Sequence, residues 1–159
     1  MNFNQLYTAY SPKIYRVCLG YLNDIDLAKD IMQETFITAW ENLQMFRGDA
    51  KIETWIYRIA TNKCLRQLQY EKRERTADLP FHIPDEHQEV YKEDDRVLLL
   101  RQCIAELKEI DRLIISLYLE ELSQQKIADI VGMSHENVRI RVHRIKEKLG
   151  KKIKANGKF

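Results

Sequence analysis

Residues 123–149 read SQQKIADIVGMSHENVRIRVHRIKEKL, and the spacing inside this run decides what kind of chain carries it. Ser123 is a helix-capping residue ahead of Ile127, Ile130 and Val131, which recur with helical spacing. Ala128 on the same short helix is small enough to let a second helix approach closely. Gly132 can take positive φ and stop the helix, and Ser134 can cap the next one, with Asn137 at its third helical position. A helix, a short turn and a second helix make the helix-turn-helix plan. At roughly 3.6 residues per turn, Val138, Val142, Ile145 and Leu149 of the second helix fall in a narrow arc. Glu136, Ile140, His143, Arg144 and Glu147 lie opposite, and Arg139 sits on a flank.

A helix of this width fits the major groove of duplex DNA, where outward side chains meet base edges and phosphates. Arg139 and Arg144 suit guanine or phosphate, and equally a solvated basic face. Ile140 is apolar yet points away from the expected core. Contact with a thymine methyl and a tolerated surface isoleucine both account for it.

Outward from this run the chain is helical by pattern, with five glycines and three prolines in 159 residues. Helices are expected over 93–107, with Val97, Leu100, Ile104 and Leu107 on one face, and over 111–120. In the N-terminal part, Leu6, Tyr10, Ile14, Val17 and Tyr21 predict a helix over 4–22, and Asn23-Asp24 is a turn and cap signal. Leu27, Ile31, Thr35, Ala39 and Leu43 predict a second over 26–46, broken by Gly48-Asp49. Ile52, Ile56, Ile59 and Lys63 predict a third over 52–72. Residues 76–91 hold Pro80, Pro84, His82, His87 and several acids without helical period, and read as a linker. The tail from 151 is basic and expected to fray. The expected architecture is all-α: three helices, a flexible linker, and four helices. Its domains would be 1–75 and 93–159, separated by linker 76–92.

Charge is strongly patterned beneath a net +2. Residues 51–75 hold seven basic against three acidic side chains, and 134–159 hold nine against two. Between them, 76–112 hold five basic against ten acidic. A polyanion could be held at both basic blocks and would be repelled by the stretch between. No apolar run approaches the ~20 residues that span a bilayer. The polar N-terminus lacks a signal-peptide pattern, so a cytosolic protein is expected. Cys18, Cys64 and Cys103 are far apart in sequence, without metal-ligand spacing, and are expected to be reduced, buried thiols with no neighbouring cysteine.

Two further segments narrow the reading. The first runs from Asp30 through Gln33, Glu34 and Phe36 to Ala39-Trp40; the second, 46–62, reads FRGDAKIETWIYRIATN. Together they resemble the region-two signature of the sigma-70 family in its extracytoplasmic-function branch, and 123–149 resembles that branch's region four. The similarity covers nearly the whole chain, in the right order. It implies a winged-helix-like or homeodomain-like tetrahelical C-terminal domain and a sigma factor that directs core RNA polymerase to promoters and aids DNA melting.

The resemblance also implies roles. Asp30, Gln33, Glu34 and Phe36 would dock on the β′ clamp helices of polymerase. Arg58, Asn62 and Arg66 recur at i, i+4 and i+8 and, with Phe46 and Lys63, would hold the non-template strand of the −10 element. Phe46 and Asn62 look like residues of the pocket for an extruded base. Trp55 matches a position that the family keeps in its interior. Arg139, Ile140, His143 and Arg144 would read the −35 element. The implied partners are core polymerase, through β′ and the β flap, promoter DNA and an anti-sigma factor, with a monomer when free. The acidic linker suits a path through the RNA exit region. No cofactor or metal is implied.

A conventional helix-turn-helix regulator is the nearest rival; it would need a sensor or dimer helix in 1–75 and neither the Asp30–Phe36 edge nor the Arg58 stripe. An enzyme is disfavoured, since no Gly-rich phosphate loop, metal cluster or nucleophile motif is present.

Overall fold

The computed structural model describes residues 2–46, 48, 51–75 and 94–156. The expected linker, 76–92, lies outside the described residues. Among them the chain is helical throughout: α1 (Phe3–Leu22), α2 (Ile25–Asn42), a 3-10 turn (Leu43–Met45), α3 (Ile52–Arg75), α4 (Asp95–Ala105), α5 (Glu109–Tyr118), α6 (Gln124–Val131) and α7 (His135–Asn156).

Local chemistry sets most of these ends. Asn2 and Gln5 form a reciprocal capping box at the start of α1. Asn23 takes the left-handed conformation and returns its N–H to the Leu19 carbonyl, ending α1. Asp24 then caps α2 by accepting from the Leu27 N–H at 3.0 Å. Caps of this kind contribute about 1 kcal/mol each. Pro12 lies inside α1 and leaves the Thr8 carbonyl without its helical donor, on the exposed side where water is available.

The N-terminal half packs α1, α2 and α3 around Leu6, Ile14, Val17, Ile31, Ile56 and Ala60, all buried. Cys18 of α1 and Cys64 of α3 meet there, with the Cys64 thiol donating to Cys18 at 3.6 Å. The expectation of cysteines without a cysteine neighbour is therefore corrected: two turns of helix that are remote in sequence face each other. That hydrogen bond, and then burial, push the Cys18 thiol well above its ordinary value and keep it protonated. In the C-terminal half α5, α6 and α7 bury Leu113, Ile114, Leu117, Ile127, Val138 and Val142, each worth roughly 1.5–3 kcal/mol relative to exposure. The tail, expected to fray from 151, stays helical to Asn156, because Lys152 bonds Glu106 at 3.0 Å and Ile153 packs on the core.

The two halves lie against each other. Helix α1 runs along α5, and α3 along α6. Gly20 and Ser116 bring α1 and α5 into close approach. On α3 the seam takes Thr54, Tyr57 and Thr61, all buried, at helical spacing. Charged pairs flank it. Arg16 grips Glu120 with two nitrogens at 2.6 and 2.8 Å, and Lys126 meets Glu53 at 2.8 Å. Lys72 meets Glu109. Arg112 donates to the Tyr21 carbonyl at 3.1 Å and covers the Tyr21 ring.

Candidate nucleic-acid interface

The C-terminal motif is built from the residues that predicted it. Ser123 accepts from the Lys126 N–H and Ser134 from the Asn137 N–H, both at 3.2 Å. Gly132 has φ +74° and returns its N–H to Ala128, closing α6 where the turn must begin. With α6 and α5 beneath it, α7 buries Val138, Val142, Ile145 and Leu149. Arg139, His143 and Arg144 are therefore exposed on its outer side, while Ile140 is half-buried. Arg139 is steadied by Glu136 at 2.8 Å, and His143 lies 3.4 Å from Glu147, a contact that becomes an ion pair when the imidazole is protonated. Arg144 has no such partner among the described residues. Arg141, which the sequence reading passed over, is drawn back to Asp111 of α5 at 3.1 Å and fixes α7 on α5.

On α3 the expected residues separate into two groups. Asn62 and Arg66 are exposed, and Lys63 is half-buried. Lys63 and Arg66 line a shallow cleft of about 450 Å³ between α2 and α3, together with Glu34, Tyr70 and Arg73. Phe46, half-buried, lies against Trp55, with ring centroids 5.2 Å apart. These two rings line a second cleft of about 270 Å³ with Thr38, Asn42, Met45 and Ile59. Trp55 is thus half in the interior and half at the mouth of a cleft. Asn62 is one turn further along α3 and does not line it. Arg58 stands apart from both clefts: its Nε and Nη2 donate to the Asp129 carbonyl of α6 at 3.0 and 2.8 Å.

On α2, Asp30, Gln33 and Glu34 form an exposed polar edge. Phe36 does not share it. The ring is 2 % exposed and sits edge-on to Tyr7 at 4.9 Å, so Phe36 seats α2 on α1 instead of facing a partner. The apolar surface beside the edge comes from Ile37 and Trp40, which are 58 % and 64 % exposed. Trp40 was read from the sequence as lying beside the docking edge, whereas Ile37 was not. The signal was the i, i+3, i+4, i+7 line from Asp30 to Ile37, which Phe36 does not join.

A polar helix face, a basic cleft, a tilted pair of rings, and an outward helix with two arginines occur in one chain. The sigma-70 region 2 family profile matches residues 6–74, and the sigma-70 region 4 profile matches residues 98–149. The chain belongs to the sigma-70 family. The ECF RNA polymerase sigma factor SigW of Bacillus subtilis is 32 % identical over 96 % of this chain and 89 % of its own length. The ECF RNA polymerase sigma-E factor of Haemophilus influenzae is 30 % identical over 95 % and 87 %. The chain is thus an extracytoplasmic-function RNA polymerase sigma factor. Among solved structures, the sigma factor RpoE of Bartonella quintana, in complex with the anti-sigma factor NepR, superposes with a TM-score of 0.82 at 21 % identity, covering 97 % of this chain and 98 % of that one. CnrH in complex with the cytosolic domain of CnrY gives 0.71 at 23 % identity, covering 98 % and 89 %. Likeness over almost the full length shows that this sigma factor shares their fold. No helix among the described residues is long and apolar enough to cross a membrane.

Proposed function

We propose that this sigma factor divides promoter recognition between two faces and docks on polymerase through a third. The outer side of α7 reads the −35 element, with Arg139 and Arg144 on guanine or phosphate and Ile140 and His143 tuning sequence preference. The single observation that carries this is the sidedness of α7: Val138, Val142, Ile145 and Leu149 are consumed by the core, and Arg139, His143 and Arg144 stand exposed on the opposite side.

The −10 strand lies along α3. Lys63 and Arg66 hold its backbone in the basic cleft, and Asn62 bonds a base edge. The Phe46–Trp55 cleft offers a π-face to an unstacked base, a contact made only once the duplex opens. Arg58 joins this set after it leaves Asp129. The Asp30, Gln33 and Glu34 edge, with Ile37 and Trp40, docks on the β′ clamp helices, and Phe36 supports the helix from below. The C-terminal half reaches the β flap. The chain supplies binding and DNA distortion and no catalysis, acts in the cytoplasm at the nucleoid, and is a monomer when free. An anti-sigma partner is proposed by analogy with the sigma factor RpoE of Bartonella quintana, which is held by the anti-sigma factor NepR.

Run-off transcription with purified core polymerase on genomic fragments tests the reading. Promoter-specific transcripts are expected only with the chain present; their absence, or failure to co-elute with core polymerase in size-exclusion chromatography, rejects it.

A further inference from the structure

We propose that His143 and Glu147 make the −35 face of α7 sensitive to pH: its hold on duplex DNA tightens as the imidazole takes up a proton. The inference rests on the reading of α7 as the −35 helix.

The face is not uniformly basic. At roughly 3.6 residues per turn, Glu136, Ile140, His143 and Glu147 run down the middle of the outer side, with Arg139 and Arg144 to either side. The Glu136 carboxylate is occupied by Arg139 at 2.8 Å. The partner of Glu147 is the imidazole, with Nε2 of His143 3.4 Å from Oε1. Arg144 and Lys151 are exposed on the same side, and neither forms an ion pair with Glu147 among the described residues. With the imidazole neutral, Glu147 therefore presents an unpaired negative charge to a ligand made of phosphates. Protonation changes two things in one place. It pairs Glu147, and it adds a charged donor that phosphate or the guanine N7 and O6 can accept from.

The helices packed against α7 leave the pair to itself. Glu106, next to α4, meets Lys152; Asp111 of α5 meets Arg141; and the Tyr118 hydroxyl of α5 meets Lys146. On α6, Lys126 meets Glu53 and Asp129 holds Gln125. The His143 side chain is 75 % exposed, so solvent and Glu147 are its surroundings.

Histidine is the side chain that changes charge between about pH 5 and 8, whereas the arginines stay charged throughout. Linkage fixes the sign: DNA that prefers the protonated face is bound more tightly as pH falls through that range, and its binding in turn favours the proton. A fall in pH thus strengthens −35 engagement at a constant amount of protein.

The test titrates the full chain against a labelled mixed-sequence duplex by fluorescence anisotropy, at about pH 6 and about pH 8. In about 0.1 M salt the wild type should bind roughly five- to tenfold more tightly at the lower pH, with a salt slope steeper by about 1. His143→Gln, neutral at both values, should lose that gain. His143→Lys, charged at both, should bind tightly already at the higher pH. Glu147→Gln should bind more tightly than the wild type at the higher pH and show a smaller change on acidification. His82, His87 and His135 are present in every variant, so the gap between the wild type and His143→Gln isolates one imidazole. Circular dichroism at both pH values checks that each variant is folded. Parallel pH profiles for the wild type and His143→Gln overturn the proposal, and Arg144→Ala then tells why. If Arg144→Ala also binds as the wild type does, the −35 reading of α7 has failed. If it binds weakly, that reading stands and the proton switch alone is wrong.

Discussion

Gly20 of α1 faces Ser116 of α5 so closely that a Cβ on Gly20 would collide with Ser116 Oγ and lie 3.1 Å from Ser116 Cβ. The serine cannot swing aside freely, because its hydroxyl donates to the Arg112 carbonyl at 2.6 Å. Arg112 in turn donates to the Tyr21 carbonyl, so the close approach is tied into both halves of the molecule. Gly20→Ala should therefore lower stability by about 1–3 kcal/mol, the usual cost of overpacking. The loss should be smaller in a Ser116→Ala background, where the clashing oxygen is gone. Urea denaturation of the two single variants and the double variant measures this coupling.

Two buried tyrosines predict a limit at alkaline pH. Burial, then the charge of Glu109, pushes the Tyr21 hydroxyl up to about 12; burial, then Glu120, pushes Tyr57 up as well. An unfolded tyrosine titrates near about 10. Above that pH the unfolded chain releases protons that the folded chain keeps, so this contribution to stability is complete below about pH 10 and is lost as pH rises toward 12. Tyr21→Phe and Tyr57→Phe should flatten the decline in urea titrations between those limits. At neutral pH both should be neutral or stabilising by up to about 1 kcal/mol, because neither hydroxyl has a partner to lose.

Replacing Arg144 with Ala should weaken −35 duplex binding and leave core-polymerase binding intact. A base contact would cost about 1–3 kcal/mol and relax specificity at one position; a phosphate contact would lower the salt slope by about 1. Fluorescence anisotropy across a salt series separates the two, and unchanged affinity removes Arg144 from the interface.

Asn62→Ala should impair promoter opening more than closed-complex formation, since Asn62 is exposed beside the clefts where an unpaired strand would lie. Permanganate footprinting reads the opened bases, and equal reactivity in both proteins would contradict the assignment.

Trp40→Ala should reduce affinity for core polymerase by about 2 kcal/mol or more, as expected of an exposed aromatic anchor at an interface. Phe36→Ala should act differently: it empties a core position, costs about 3–5 kcal/mol of stability, and lowers polymerase binding only through unfolding. Comparing denaturation midpoints with polymerase affinity for the two variants checks the distinction.

Much of this molecule was legible in the order of its residues, wherever the deciding interaction spans a turn of helix or less. Asn23, Asp24, Ser123, Gly132 and Ser134 mark helix ends because their bonds reach only three or four residues along the chain. The inner and outer sides of α7 follow from spacing alone, and so does the exposed edge at Asp30, Gln33 and Glu34. The same spacing leaves Phe36 off the line of Asp30, Gln33, Glu34 and Ile37, and Phe3 and Tyr7 on α1 are the rings that receive it.

The remaining relationships join residues far apart in sequence. Cys18 meets Cys64 across 46 positions, Arg58 meets Asp129 across 71, and Arg16 meets Glu120 across 104. A single sequence determines which side chains carry charge, bulk or a cap, and therefore which helices form and which way each one faces. Which helix lies against which is chosen by the summed packing of distant surfaces, where each pair contributes little and many pairings are chemically acceptable. That is why the tertiary structure alone decided that Arg58 points at a carbonyl of its own chain.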